Sequence, residues 1–230
     1  MWGVLQMNSM KLPKVILFDL DGVILDTETV YLELLTNYNK KINMPITKKF
    51  YINHFLGMTK NDINNYYKEK YNDKYNPNKY WDELNKYRKE YLLKNQIKIK
   101  KGFLDLKEYL KENNISIGIV SSNSLELILE LFNNTKLNIK DFDLIVTRDD
   151  VLKTKPNPDL YLKAIKQFGF DNYEYIAIED SNVGIISALK ANIRVISVED
   201  LDIIKPELKK KCFKCIKSLY EVIDILKEMK

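Results

Sequence analysis

Histidine and cysteine are scarce in this chain. One histidine, His54, and two cysteines, Cys212 and Cys215, serve all 230 residues. A structural zinc site takes about four nitrogen or sulfur ligands. The C-x-x-C pair supplies two of them and His54 lies far away in sequence, so no such centre is expected. A redox pair would follow a strand at a helix start. This pair precedes only the last helical segment, so ordinary reduced thiols in a reducing compartment are expected. No apolar run approaches the roughly 20 residues that cross a bilayer. The first ten residues lack a basic stretch followed by a continuous apolar one. No secretory signal is therefore expected, and the cytosol is the expected location. Internal repeats are absent, and no block of basic residues is dense enough for nucleic acid. The densest is Lys209-Lys210-Lys211.

What is present fits a globular protein. Hydrophobic residues make up 45% of the chain, and at this size roughly 70% of the unfolded surface is buried on folding. A metal or a disulfide is then unnecessary for stability. The net charge of +5 tolerates an anionic ligand, but lysine spread along the chain reads first as a solvated surface.

Short apolar runs alternate with amphipathic segments. Val15 to Phe18, Ile115 to Val120, Leu144 to Val146, Tyr175 to Ile178 and Arg194 to Val198 read as strands. Leu104 to Asn113, Leu125 to Asn133, Asp159 to Phe168 and Val183 to Lys190 read as helices. Apolar strands separated by helices indicate a parallel sheet covered on both faces. The fold class is α/β, with a Rossmann-like doubly wound parallel sheet as its core. Residues 27–100 break the alternation: they are rich in Tyr, Asn, Lys and Leu, with helical spacing and no convincing strand. They read as an inserted helical domain, leaving 11–26 and 101–230 as the α/β core. Its tyrosine stripes, such as Tyr66, Tyr67 and Tyr71, read as helix core.

The chemistry gathers at strand ends. Asp19 and Asp21 directly follow the first strand, and ligands of open parallel sheets bind beyond the carboxyl ends of the strands. In extended chain both side chains point one way, with Leu20 opposite, and Gly22 allows a sharp turn. Carboxylates held this close favour a bound cation or a raised pKa. The second strand ends in Ser121-Ser122-Asn123, donors suited to phosphate oxygens at a helix start. Alternatively they form a plain helix cap. After the third strand, Lys155 stands on a loop stiffened by Pro156 and Pro158, with Asp159 in the next helix's first turn. The fourth strand ends in Glu179-Asp180, followed by Ser181-Asn182-Val183-Gly184. Hard oxygen ligands of this kind suit Mg²⁺ with a small phosphate ester.

These motifs resemble the haloacid dehalogenase superfamily, in the branch of β-phosphoglucomutase and related sugar-phosphate phosphatases. The resemblance runs from about Val15 to Val198. It implies that Asp19 is the nucleophile that becomes an aspartyl phosphate and that Asp21 is the general acid/base. Ser121 and Lys155 would hold the transferring phosphoryl group, with Ser122 and Asn123 beside them. Asp180 and Glu179 would bind Mg²⁺ with Asp19 and the backbone carbonyl of Asp21. The helical insert would be the family's cap, with Thr27, Gly57, Thr59 and Lys60 as its substrate-facing candidates. Asp21 argues against true dehalogenases, which lack that acid. Where the mutase branch has a cap histidine this chain has Tyr31, and where it has a phosphate-gripping arginine this chain has Lys60, without the bidentate fork. Hydrolysis of a small phosphate monoester is therefore favoured over phosphomutase activity. A receiver-like signalling domain fits less well, because it would be about half this length and lack the insert. A monomer without membrane or nucleic-acid partners is expected.

Overall fold

The computed structural model describes residues 11–55 and 58–229. They divide into two compact units, one of residues 11–26 and 98–229 and the other of 27–97. Among the described residues, no helix is long and apolar enough to cross a membrane.

Six parallel strands form the sheet of the first unit: β1 (Val15–Phe18), β2 (Ser116–Val120), β3 (Leu144–Val146), β4 (Tyr175–Glu179), β5 (Arg194–Val198) and β6 (Lys214–Ile216). Their order is β3-β2-β1-β4-β5-β6. The chain builds outward from β1 on one side, then returns to build on the other. Phe18 pairs with Ile119 on one side and Ile178 on the other, so the ends of β1, β2 and β4 share one edge. A crevice opens where the winding direction reverses, and here that point is β1. All four β1 side chains are buried, as a strand covered on both faces requires. The strand β6 was not expected from sequence. It is three residues long and contains Cys215, so the C-x-x-C pair enters a strand rather than simply preceding a helix. Both thiols are free, and burial pushes the Cys212 thiol up, to about 11.

The second unit holds the helices α1 (Thr27–Lys41), α2 (Lys48–Phe50), α3 (Lys60–Tyr71) and α4 (Pro77–Lys94). Asn76 caps α4 by accepting from Lys79 N–H, and Pro77 takes its first position, where a missing N–H costs nothing. Tyr38, Tyr67 and Tyr80 are buried. Tyr67 and Tyr80 meet at the buried Asn39, whose Oδ1 accepts from Tyr67 at 2.8 Å and whose Nδ2 donates to Tyr80 at 3.0 Å, while the Tyr38 hydroxyl donates to Glu83 Oε2 at 3.1 Å. Of the stripe Tyr66, Tyr67 and Tyr71, only Tyr67 is core; Tyr66 and Tyr71 are half-buried, and the Tyr66 hydroxyl accepts from the exposed Lys70 Nζ at 2.8 Å.

The remaining helices belong to the first unit: α5 (Phe103–Glu112), α6 (Leu125–Asn133), α7 (Asp159–Phe168), α8 (Asn182–Lys190), α9 (Pro206–Lys209) and α10 (Tyr220–Glu228). Helices α5, α7 and α8 pack on the sheet. Residues 98–100, read from sequence as the end of the insert, group with this unit. Asp26 N–H donates to Lys98 O at 2.9 Å, and Lys100 N–H to Ile24 O at 2.8 Å.

Candidate active site

Asp19 directly follows β1, and its backbone N–H continues the ladder to Ile178 O at 3.0 Å. Its carboxylate is therefore fixed by the sheet itself. The chain then turns: Leu20 O accepts from both Ile24 and Leu25 N–H, and Gly22 N–H donates to Leu25 O. Gly22 has φ +73°, and a Cβ there would overlap the Asp180 carboxylate. Only glycine meets both demands.

Lys155 is the centre of the charge arrangement. Its ammonium donates to Asp19 Oδ1 at 2.6 Å and to Val120 O at 2.8 Å, and pairs with Glu179 Oε1 at 2.7 Å. The loop that delivers it is pinned to α8, where Ser187 Oγ donates to Asn157 O and Lys190 Nζ to Pro156 O. Burial alone would lower the lysine's pKa. The adjoining Asp19 and Glu179 carboxylates outweigh it and hold the pKa above the ordinary value. Burial pushes the Glu179 carboxyl the other way, up to about 7, with Lys155 opposing and Asp19 adding to the rise. Tyr161, on α7, donates its hydroxyl to Glu179 Oε1. Burial, reinforced by Glu179, raises that hydroxyl's pKa well above normal, so it stays a donor.

Among the described residues, Asp19, Glu179 and Asp180 each offer a carboxylate oxygen within 4.8 Å of the others. All three are buried. Glu179 Oε2 has no hydrogen-bond partner, and it lies against Gly184, where a Cβ would overlap it. Three buried carboxylates against the one ammonium of Lys155 leave negative charge uncompensated, and Glu179 Oε2 is left without a donor. The residues present therefore fit a hard divalent cation. The Asp21 carboxylate is not part of this trio. Its Oδ2 accepts from Asn123 Nδ2 at 2.7 Å.

Gly184 gives a test with an unusual sign. In an ordinary helix, alanine for glycine stabilises by roughly 0.5–1 kcal/mol. Gly184→Ala is expected instead to destabilise by about 1–3 kcal/mol, because the new methyl group displaces a buried carboxylate. A denaturant midpoint that rises would contradict the close packing of Glu179 on this helix.

The other residues singled out from sequence are placed as follows. Ser121 is buried at the end of β2, and its Oγ accepts from Asn123 N–H at 3.1 Å. Ser122 is exposed. The helix cap belongs to Ser124, whose Oγ accepts from Leu127 N–H, so Ser121 and Asn123 are released from that duty. In the helical unit, Thr27 is buried at the start of α1. Thr59 caps α3 in a reciprocal pair with Asp62, and Lys60 Nζ lies 5.0 Å from the Trp81 ring centre. Gly57 lies outside the described residues. Sequence reasoning missed Tyr161 and also the ion pair of Lys100 with Asp200, Nζ to Oδ1 at 2.6 Å. Asp200 had a usable signal, since Glu199-Asp200 follows β5 just as Asp19 follows β1. Tyr161 and Lys100 had none.

A family model described as haloacid dehalogenase-like hydrolase matches residues 16–198. YhcW of Bacillus subtilis (strain 168), provisionally named a phosphatase, is 32% identical over 192 residues, 80% of this chain and 83% of that protein. A phosphorylated carbohydrates phosphatase of Thermotoga maritima is 24% identical over 230 residues, 93% of this chain and 98% of that one. The crystal structure of a HAD family hydrolase from Deinococcus radiodurans R1, with bound phosphate and sodium, superposes with TM-score 0.82 at 18% identity. The match covers 96% of this chain and 97% of that one.

Proposed function

The chain belongs to the haloacid dehalogenase-like hydrolase family, and on that footing we propose that it is a Mg²⁺-dependent phosphatase of small phosphate monoesters, sugar phosphates by class. The observation that carries this reading is the Asp19 carboxylate at the tip of the central strand, gripped by Lys155 and beside the acids Glu179 and Asp180. The names of the relatives agree with it.

In the first step a carboxylate oxygen of Asp19 attacks phosphorus and the bond to the ester oxygen breaks. Asp21 gives its proton to the departing alcohol. Asn123, hydrogen-bonded to Asp21 Oδ2, holds that acid in place. In the second step Asp21 takes a proton from water as the water oxygen attacks phosphorus. The bond to Asp19 breaks, releasing inorganic phosphate and restoring both acids. Covalent catalysis thus divides one difficult displacement into two. Lys155 and Ser121 hold the oxygens of the transferring phosphoryl group. A divalent cation held by Asp19, Asp180 and Glu179 would reduce the repulsion between an anionic nucleophile and an anionic ester.

A panel of phosphate monoesters, assayed with Mg²⁺ and with EDTA, tests this. Phosphate release that needs Mg²⁺ and falls at least ~100-fold in EDTA is expected, since the cation supplies several kcal/mol. The panel includes β-glucose 1-phosphate with a trace of the 1,6-bisphosphate. Conversion to glucose 6-phosphate without phosphate release would replace hydrolysis with phosphomutase activity.

A further inference from the structure

The loop after β5 carries an acid that the steps above do not use. The Asp200 side chain is 10% exposed, and its Oδ1 pairs with Lys100 Nζ at 2.6 Å. Its Oδ2 is buried and has no hydrogen-bond partner. That oxygen lies 2.7 Å from the point a Cβ on Gly22 would occupy, and Asp180 Oδ2 reaches the same point. Two carboxylate oxygens thus converge over one glycine. Buried, such an oxygen is unfavourable unless a donor or positive charge meets it.

The surrounding loop keeps Asp200 in place. Asp202 Oδ2 accepts from the backbone N–H of Asn182 at 3.0 Å and from its Nδ2 at 2.9 Å. Asn182 Oδ1 accepts from Lys205 N–H at 2.9 Å. Asn182 opens α8, two residues after Asp180, so the loop is clasped to the segment that carries Asp180.

We propose that Asp200 is a positioning residue of the cation site, and this rests on the cation-dependent reading of that site. Asp200 is not among the three acids that gather within 4.8 Å of one another. Its Oδ2 therefore acts by accepting a hydrogen bond from water carried by the cation, not by ligating it. Lys100 fixes which oxygen of Asp200 faces the site. Acceptors of this outer kind change metal affinity by about 10–100-fold.

The test is Mg²⁺ binding to the whole protein by isothermal titration calorimetry, without substrate. Asp200→Asn keeps the shape and removes the charge, and its Kd for Mg²⁺ is expected to rise about 10-fold or more. Lys100→Met keeps the anion and is expected to lose less affinity than Asp200→Asn. A purely structural ion pair would lower the unfolding temperature of both variants and leave both Mg²⁺ affinities at the parent value. That result overturns the proposal alone. A parent protein that binds no Mg²⁺ overturns it together with the cation-dependent reading. A measurement on the parent needs no folded variant: the Asp200 side-chain carboxyl ¹³C resonance is expected to shift on Mg²⁺ saturation. A resonance that stays in place also overturns the proposal.

Discussion

Asp19→Asn is expected to lower kcat by roughly 10⁴-fold or more, the scale seen when a covalent nucleophile is removed. Asparagine has nearly the shape of aspartate, so the ladder bond from residue 19 to Ile178 O persists. Lys155 keeps its partner Glu179. The cluster sheds one of three converging carboxylates, so the fold should hold and the unfolding temperature should stay level or rise. Phosphate release and a circular-dichroism melt check both halves. A variant that folds and keeps more than about 1% of the parent rate, far above that expected residue of activity, removes the covalent role from Asp19.

The second large effect concerns stability. Lys155→Met leaves Asp19 and Glu179 buried without the ammonium they share, and leaves Val120 O without its side-chain donor. Breaking a buried pair by removing one partner costs about 3–5 kcal/mol. For a chain of this size that lowers the unfolding temperature by roughly 10 °C. The loss should also depend on pH. Burial already raises the Glu179 carboxyl from its ordinary value to about 7. A carboxyl raised in the fold binds more protons than in the unfolded chain. Its contribution is therefore complete below the unfolded value of 4.5 and is lost as pH climbs through the folded value. Without Lys155 the raised range extends upward, so in EDTA the variant's deficit should be smaller at acid pH than at alkaline pH. Denaturant melts across that range measure it. A deficit below about 1 kcal/mol at alkaline pH would mean that the two carboxylates are not held together by this lysine.

Helices α6 and α7 and strands β1, β3 and β5 begin and end where the sequence places them, because a strand buried on both faces leaves an uninterrupted apolar run. Strand β6 was missed because Lys214-Cys215-Ile216 is no apolar run, unlike the equally short Leu144-Ile145-Val146 of β3. The acids 19, 21, 179 and 180 were legible for a local reason: each stands at or just after the end of a strand, and strand ends are readable from a short window.

The joins between those windows were not legible. Lys155 was visible as a lysine on a stiff loop, but its simultaneous grip on residues 19 and 179 depends on β4 lying beside β1. Asn123 reaches Asp21 across 102 positions because β2 lies on the other side. The need for glycine at 184 arises only when Glu179 folds back over α8.

By itself, the sequence determined the alternation of strands and helices, the inserted helical segment and the supply of acids, hydroxyls and lysine at strand ends, all set by local periodicity and turn chemistry. Only the tertiary structure decided which charges share a partner, which oxygens are left without one, and that Asp200 stands beside Asp180. Those outcomes follow from strand order and register, which bring together side chains that no local pattern relates.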